Sequence, residues 1–137
     1  MASGIYNRAK ANLMNALLDL EGSNIKVMLL NNSHAFTATH NVKGDVDTND
    51  IGSQTVYVAG GSALANPAVT QGATTKWDAD NHAYGPGESL TAYHAVLWDD
   101  DNATDDLICS FDFGGAKTVS NGTLTIEWHT NGIITLT

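Results

Sequence analysis

The sequence has very few of the residues that cross-link a fold. It contains one cysteine, Cys109, among 137 residues, so no disulfide can form within the chain. Cys109 lies on the apolar side of a predicted strand, where a free thiol is typically an inert core residue, whereas a reactive thiol needs an electropositive and partly exposed setting. A chain of this length is nevertheless long enough to bury a core without such cross-links. We therefore predict one domain spanning residues 1–137.

Basic residues are also scarce, with 6 Lys and Arg against 15 Asp and Glu and a net charge of -9. Such a chain repels phosphate groups, so we expect no nucleic-acid partner. No stretch approaches the ~20 apolar residues of a membrane span. The first residues also lack the charged and apolar regions of a signal peptide. We therefore expect no membrane partner and folding in the cytoplasm.

Motifs of known chemistry are missing as well. The five histidines include no i, i+4 pair of the kind that holds zinc on a helix, and no nucleophile-elbow motif supports a Ser-His-Asp triad. Asp45, Asp47 and Asn49 have the opening spacing of an EF-hand calcium loop. However, Asp50 replaces the turn glycine and Val56 replaces the closing glutamate. The sequence thus predicts no catalytic, cofactor-binding or metal-binding residue.

One predicted hairpin loop, residues 99–106, concentrates negative charge. Its five carboxylates are those of Asp99, Asp100, Asp101, Asp105 and Asp106. Repulsion among them could be relieved by calcium or by lysines of a partner, although such runs are commonly just solvated. The sequence leaves these three alternatives open.

The clearest pattern that the sequence does contain lies in residues 90–137, where apolar-rich or alternating runs are separated by turn signals. Asn121-Gly122 and Asn131-Gly132 are typical of two-residue type I′ hairpin turns, in which both central residues need a positive φ. The pattern therefore predicts a β-meander. The predicted core residues of this region are Leu107, Phe111, Leu124, Ile126 and Trp128.

The first part of the chain predicts a helix followed by strands. Apolar residues recur at helical spacing over residues 4–20, and Gly22 is a suitable helix stop. Residues 24–30 are apolar on both faces, which is typical of a central strand. Further predictions are short strands at 55–58 and within 68–77, and a loop at 81–87. The predicted fold is mainly β: an antiparallel β-sandwich, jelly-roll or immunoglobulin-like, with one amino-terminal amphipathic α-helix.

Residues 31–52 form a long segment without any periodic pattern. Loops of this length in a compact domain are usually functional or disordered. A domain of this size does not need the segment for its core, so we predict an ordered arm that contacts another subunit, with Phe36 as its apolar anchor. The predicted contact residues are His34, Phe36, His40 and Val42.

Several segments carry a resemblance to a known family. They are Gly4-Ile5-Tyr6-Asn7-Arg8, Asn12-Leu13-Met14-Asn15, Ile25-Lys26-Val27-Met28-Leu29-Leu30, Ala59-Gly60-Gly61, Thr74-Thr75-Lys76-Trp77-Asp78, Ala92-Tyr93-His94-Ala95-Val96, Asp112-Phe113-Gly114-Gly115, Gly122-Thr123-Leu124-Thr125-Ile126-Glu127-Trp128 and Gly132-Ile133-Ile134-Thr135-Leu136. Over nearly its whole length, the chain resembles small structural proteins encoded in the virion gene clusters of tailed bacteriophages. Where that family often has Gly-Tyr before Ala-Gly-Gly, this chain has Val56-Tyr57-Val58.

The resemblance implies a non-enzymatic virion protein, foremost a capsid decoration or cement protein that stabilises the head. Its implied partners are the major capsid protein or other virion subunits, and we expect a homo-oligomer located in the virion. One alternative is a tail tube, adaptor or fibre-associated protein. Another, of a different class, is a glycan-binding module that uses Trp77, Trp98 or Tyr93 as stacking platforms.

Overall fold

The computed structural model describes residues 3–137. The elements in chain order are β1 (Gly4–Ile5), α1 (Asn7–Met14), β2 (Ile25–Leu30), β3 (Ser62–Ala63), β4 (Ala68–Thr70), β5 (Thr75–Asp78), β6 (His82–Asp99), β7 (Asp106–Ile126) and β8 (Ile134–Leu136). They form a five-stranded sheet of order β1-β7-β6-β2-β3 and a three-stranded sheet of order β4-β5-β8. The predicted fold class is confirmed: the fold is mainly β and antiparallel, has a sandwich-like two-sheet arrangement and contains one helix near the amino terminus.

β6 and β7 make one long ribbon that dominates the fold. Their pairs run from Asp99 and Asp106 at the loop to His82 and Ile126 at the far end, interrupted by several register shifts. Phe113 and Ile126 line the same cavity, although a straight strand would separate them by about 40 Å. The ribbon therefore folds back on itself, and bulges of the kind that bend strands permit this.

The two Asn-Gly pairs do not form the predicted hairpins. Asn121-Gly122 lies inside β7, where Asn121 has φ 49° beside a register shift. Asn131-Gly132 does form a turn, closed by the Gly132 N–H donating to the His129 carbonyl at 2.7 Å, but the following β8 pairs with β5 rather than with β7. The predicted meander is therefore wrong beyond the hairpin of β6 and β7, because the two strands predicted on either side of Asn121-Gly122 are one strand. A positive φ serves a bulge and a connection between sheets equally well.

The helix is shorter than predicted. It spans Asn7–Met14 instead of residues 4–20, because Gly4–Ile5 pairs with β7 on one side and Ala16 takes a positive φ of 57° on the other. β4 and β5 confirm the strands expected within residues 68–77. The strand expected at 55–58 is a loop, and the loop expected at 81–87 belongs largely to β6.

β2 is an interior strand with both faces buried, as predicted. Ile25, Val27 and Leu29 join the core between the two sheets, whereas Met28 and Leu30 join a second core on the other face of the large sheet. Of the five predicted core residues, Leu107 and Leu124 are buried. The other three, Phe111, Ile126 and Trp128, are partly buried against the core between the sheets.

Candidate docking surface

Two of the predicted contact residues pack inside their own chain. His34 is buried, with Nε2 3.0 Å from the Ser110 hydroxyl oxygen. The centroid of the Phe36 ring lies 5.0 Å from that of the Tyr6 ring. The Phe36 ring also lies against Gly4, where an added Cβ would be only 2.7 Å from the ring carbons. Residues 31–52 are therefore part of the fold, which corrects the premise that the core does not need them.

The other two predicted contact residues are half-buried. Val42 forms an isolated β-bridge with Asp106, and the neighbouring Asn41 carbonyl accepts the Leu107 N–H at 2.9 Å. His40 has a buried Nδ1 without a hydrogen-bond partner among the described residues. These contacts within the chain explain the burial of the segment, and its role between subunits stays a prediction.

Three buried histidines are held neutral by their surroundings. Burial, followed by the neighbouring His94 and His40, lowers the pKa of His34 to about 4. Burial also lowers the pKa of His82 to about 4 and lowers that of His94. The His82 Nε2 atom lies 3.1 Å from the Ser62 hydroxyl oxygen. These imidazoles therefore act as uncharged packing and hydrogen-bonding groups at pH 7.

One side of the acidic loop is satisfied within the chain. The Asp106 carboxylate accepts hydrogen bonds from Asn12 at 2.7 Å, Asn102 at 2.9 Å, Thr104 at 2.7 Å and Arg8 at 3.2 Å. Burial raises the pKa of Asp106, but these four donors outweigh it and the net shift is downward. Asp100 of the same loop forms an ion pair with Lys26, with 2.7 Å between the carboxylate oxygen Oδ2 and the ammonium nitrogen.

The other side of the loop is not neutralised. Asp99 and Asp101 line a cleft of about 460 Å³ together with Asp19 and Glu21, and we call these four carboxylates the acidic cleft. Among residues 3–137, none of them forms an ion pair. Asp99 is only 4% exposed. Burial raises the pKa of Asp99, and repulsion from Asp101, Asp106 and Asp19 adds to this rise, although the hydrogen bond from the Asp101 N–H acts in the opposite direction.

An apolar crevice lies beside the acidic cleft. Its lining includes six apolar residues: Leu13, Leu20, Val69, Trp77, Ile134 and Leu136. The buried Trp77 is fixed by its indole N–H, which donates to the Leu20 carbonyl at 2.7 Å. Glu21 connects cleft and crevice, since its carboxylate accepts the Val69 N–H at 2.9 Å.

Exposed aliphatic side chains lie at the rim of the apolar crevice and in the neighbouring segment of the chain. Val69 is 44% and Leu136 62% exposed at the rim. Met14, next to Leu13 in sequence, is 89% exposed, and Leu17, which lines the acidic cleft, is 63% exposed. Clusters of exposed apolar side chains mark interaction sites more often than scattered ones do. We call the apolar crevice together with Met14 and Leu17 the docking surface. Sequence reasoning missed it because its residues come from four separate segments.

Two of the three aromatic residues proposed as glycan platforms are buried. Trp77 and Trp98 have almost no exposed surface, and the Trp98 indole N–H donates to the Gly60 carbonyl at 2.9 Å. A stacking platform needs an open ring face, so the expectation is wrong for both tryptophans. Tyr93 is half-buried beside His34 and His94.

The EF-hand-like segment uses its oxygens locally. The Asp45 carboxylate accepts the backbone N–H groups of Asn41 at 2.8 Å and Val42 at 3.1 Å. Over residues 3–137, no group of three or more His, Cys, Asp and Glu side chains is placed to hold one metal ion. No helix in this range is long and apolar enough to cross a membrane.

Comparison with known proteins gives no match among protein-family models, curated proteins or solved structures. The resemblance to virion proteins stays an expectation from the sequence.

Proposed function

We propose that this chain is a non-enzymatic structural protein of a tailed-bacteriophage virion, and that it decorates the assembled head as a capsid cement protein. The observation that supports a binding role best is the docking surface, where Val69 and Leu136 remain exposed at the rim of the apolar crevice. Met14 and Leu17 remain exposed in the chain segment that contributes Leu13 and Leu20 to the crevice. Aliphatic groups that are exposed to water cost free energy, and contact with a partner removes this cost. The resemblance to virion proteins supplies the kind of partner.

A decoration role suits a small rigid domain of this kind. The surface of an assembled shell repeats the same binding position many times, and a homo-oligomer engages several positions at once. Linked contacts raise the apparent affinity without any new contact. A docking surface of a few aliphatic side chains is therefore sufficient for stable attachment, and stable attachment bridges neighbouring shell subunits.

The location and copy number of the chain in intact particles test this proposal. We expect density on the outside of the head by electron cryomicroscopy, and an abundance near that of the major capsid protein by quantitative mass spectrometry. Density in the tail together with a far lower abundance would replace the proposal with the tail tube, adaptor or fibre role. Absence from the particle would overturn both roles.

A charged residue on the docking surface should prevent attachment. Leu17→Glu and Leu136→Glu place carboxylates on an apolar contact, so we expect each to lower the number of copies bound to particles lacking the protein by about tenfold or more. Val58→Glu is the matched control, because Val58 is 64% exposed, like Leu17 at 63% and Leu136 at 62%, but is not part of this surface.

The measurement is the number of bound copies after purified protein is added to such particles, with circular dichroism to establish that each variant is folded. Equal binding by all three folded variants would show that the apolar crevice is not the contact.

A further inference from the structure

β7 bulges away from β6 beside a polar cleft. Between two regular pairs of the ribbon, β6 contributes Tyr93 alone, whereas β7 contributes residues 113–116. Within this bulge Gly114 has φ 76° and Gly115 has φ 140°, and a Cβ added to either glycine would meet no other atom within 4 Å. Bulges occur preferentially next to functional sites, and glycines in them leave the backbone open to a ligand.

The polar cleft has the size of a small-molecule site. Its volume is about 360 Å³, and such sites span ~300–1,000 Å³. Besides the two bulge glycines, the cleft is lined by Asn32, His34, Tyr93, His94 and Asp112. No aliphatic side chain of the described residues lines it, so a purely apolar ligand does not fit.

His94 brings an unused polar atom to the wall of this cleft. The side chain is buried, with 6% exposed, and its Nδ1 atom has no hydrogen-bond partner among the described residues. Asp112 Oδ1 lies 3.9 Å from Nδ1, which is too long for a hydrogen bond. A buried polar atom without a partner costs free energy, and a ligand that bonds to this atom removes the cost.

The electrostatics of the cleft favour an uncharged ligand. Burial lowers the pKa of both His34 and His94, so both rings are neutral at pH 7 and no positive charge attracts an anion. Asp112 is the only carboxylate of the described lining, and its Oδ1 atom already accepts the Gly114 N–H at 2.8 Å. Within residues 3–137, no three ligands converge on one metal ion. Hydroxyl groups suit such surroundings, because each can both donate and accept a hydrogen bond.

Tyr93 adds an aromatic surface to these polar groups. The residue is half-buried, and its ring is not part of any aromatic pair between described residues. The face of an aromatic ring is electron-rich and attracts the weakly positive hydrogens of C–H groups. A sugar ring has a face of C–H groups and a rim of hydroxyls, which matches an aromatic ring next to polar side chains.

We propose that this cleft binds a neutral sugar ring, with one face of the sugar on Tyr93 and its hydroxyl groups bonded to His94 Nδ1 and to the Asn32 amide. Of the three aromatic residues considered as glycan platforms, Tyr93 is the one that is not buried. The site goes beyond the proposed virion function, because it needs neither the docking surface nor a shell partner.

The methyl glycosides of glucose, galactose and mannose test the proposal on the whole chain by NMR. At least one of them should shift the amide signals of Asn32, Gly114 and Gly115 in a saturable way, with a dissociation constant on the order of 1–10 mM. Tetrahydropyran-2-methanol keeps the ring but only one hydroxyl, and butylammonium chloride is a cation. Each should bind about tenfold more weakly than the glycoside.

Two outcomes of these titrations would overturn the proposal. One is the absence of saturable shifts with all three glycosides up to about 100 mM. The other is binding of butylammonium or tetrahydropyran-2-methanol that is as tight as that of the glycoside, because the cleft would then select charge or apolar surface rather than hydroxyl groups.

Variants of Tyr93 and Asn32 test the two sides of the site. Tyr93→Ala and Asn32→Ala should each lower the affinity for the glycoside by about five- to tenfold, whereas Tyr93→Phe keeps the aromatic ring and should bind like the wild type. Asn131→Ala is the control for Asn32→Ala, because it makes the same change at an exposed turn position outside the cleft. Unchanged affinity in both alanine variants of the cleft would contradict the site.

His94→Leu separates a binding role from a structural one. The substitution removes a buried Nδ1 atom that has no partner, so we expect a melting temperature equal to or above that of the wild type, while affinity for the glycoside falls about tenfold. A lower melting temperature with unchanged affinity would show that the ring serves packing alone, and it would overturn the assignment of His94 to the site.

Discussion

Lowering the pH from 7 to 4 should remove most or all of the stability of this domain. His34 and His82 are buried, and the pKa of each is lowered from 6.5 to about 4. As the pH falls below 6.5, the unfolded chain therefore takes up protons before the folded chain does, so stability is lost between pH 6.5 and pH 4. Each histidine contributes ~3 kcal/mol to this loss, and their sum is comparable to the whole stability of a small domain.

The measurement is the free energy of unfolding from urea titrations at several pH values between 7 and 4. His34→Asn and His82→Gln remove the titrating rings while keeping polar groups near Ser110 and Ser62, and each should reduce the pH dependence by about half. His129→Gln is the control, because His129 is exposed. A wild-type free energy that stays constant from pH 7 to pH 4.5 would contradict the neutral buried state of these histidines.

The sequence predicted those features that depend on a residue and its near neighbours. β2 reads as an interior strand because its apolar residues fill both faces, and both faces are buried. Cys109 reads as a core thiol because it alternates with apolar residues, and it is buried with its pKa raised by burial. Such patterns report burial directly, since the side chains of a strand alternate between two faces.

Features that depend on distant partners were not predictable in this way. Gly85, Pro86 and Gly87 have the composition of a loop, yet they belong to β6, because β7 pairs on both sides of the bulge that they form. Residues 31–52 lack periodicity because their partners, such as Ser110 for His34 and Tyr6 for Phe36, lie in other elements. Their irregular pattern predicts an external contact, whereas packing against the large sheet explains their burial.

The docking surface could not be predicted for the same reason. Val69 and Leu136 lie in β4 and β8, which become neighbours only because β5 pairs with both strands. Leu17 lies outside the helix, where a helical pattern no longer describes the direction of its side chain. A surface assembled by sheet topology leaves no periodic signal in the sequence. The acidic cleft is an intermediate case. The sequence shows the acidic run at residues 99–101, but it does not show that Asp19 and Glu21 lie in the same cleft.

Glu88 is a second residue whose importance only the structure reveals. It is fully buried, and its carboxylate accepts four backbone N–H groups: Thr55 at 3.1 Å, Val56 at 2.9 Å, Tyr57 at 2.6 Å and Ser89 at 2.8 Å. Burial raises the pKa of Glu88, but the four amides outweigh it and the net shift is downward. The carboxylate is therefore ionised in the folded chain and holds the loop before β3 against β6.

We expect Glu88→Gln to destabilise the domain by about 3–5 kcal/mol at pH 7. A carboxylate offers acceptors on both oxygens, whereas the Gln amide has one oxygen and an NH2 group that would face two backbone donors. Urea unfolding measures the loss, and hydrogen exchange should show faster exchange at Thr55, Val56 and Tyr57 than in the wild type.

Glu127→Gln serves as the control, because it makes the same chemical change at an exposed position and should alter the free energy of unfolding by less than about 0.5 kcal/mol. The stabilisation by Glu88 is present above pH 4.5 and is lost as the pH falls below that value, because its folded pKa is lowered. Its loss therefore begins at lower pH than that of the histidines. Equal stability of Glu88→Gln and the control would mean that water satisfies the three loop amides as well as the buried carboxylate does.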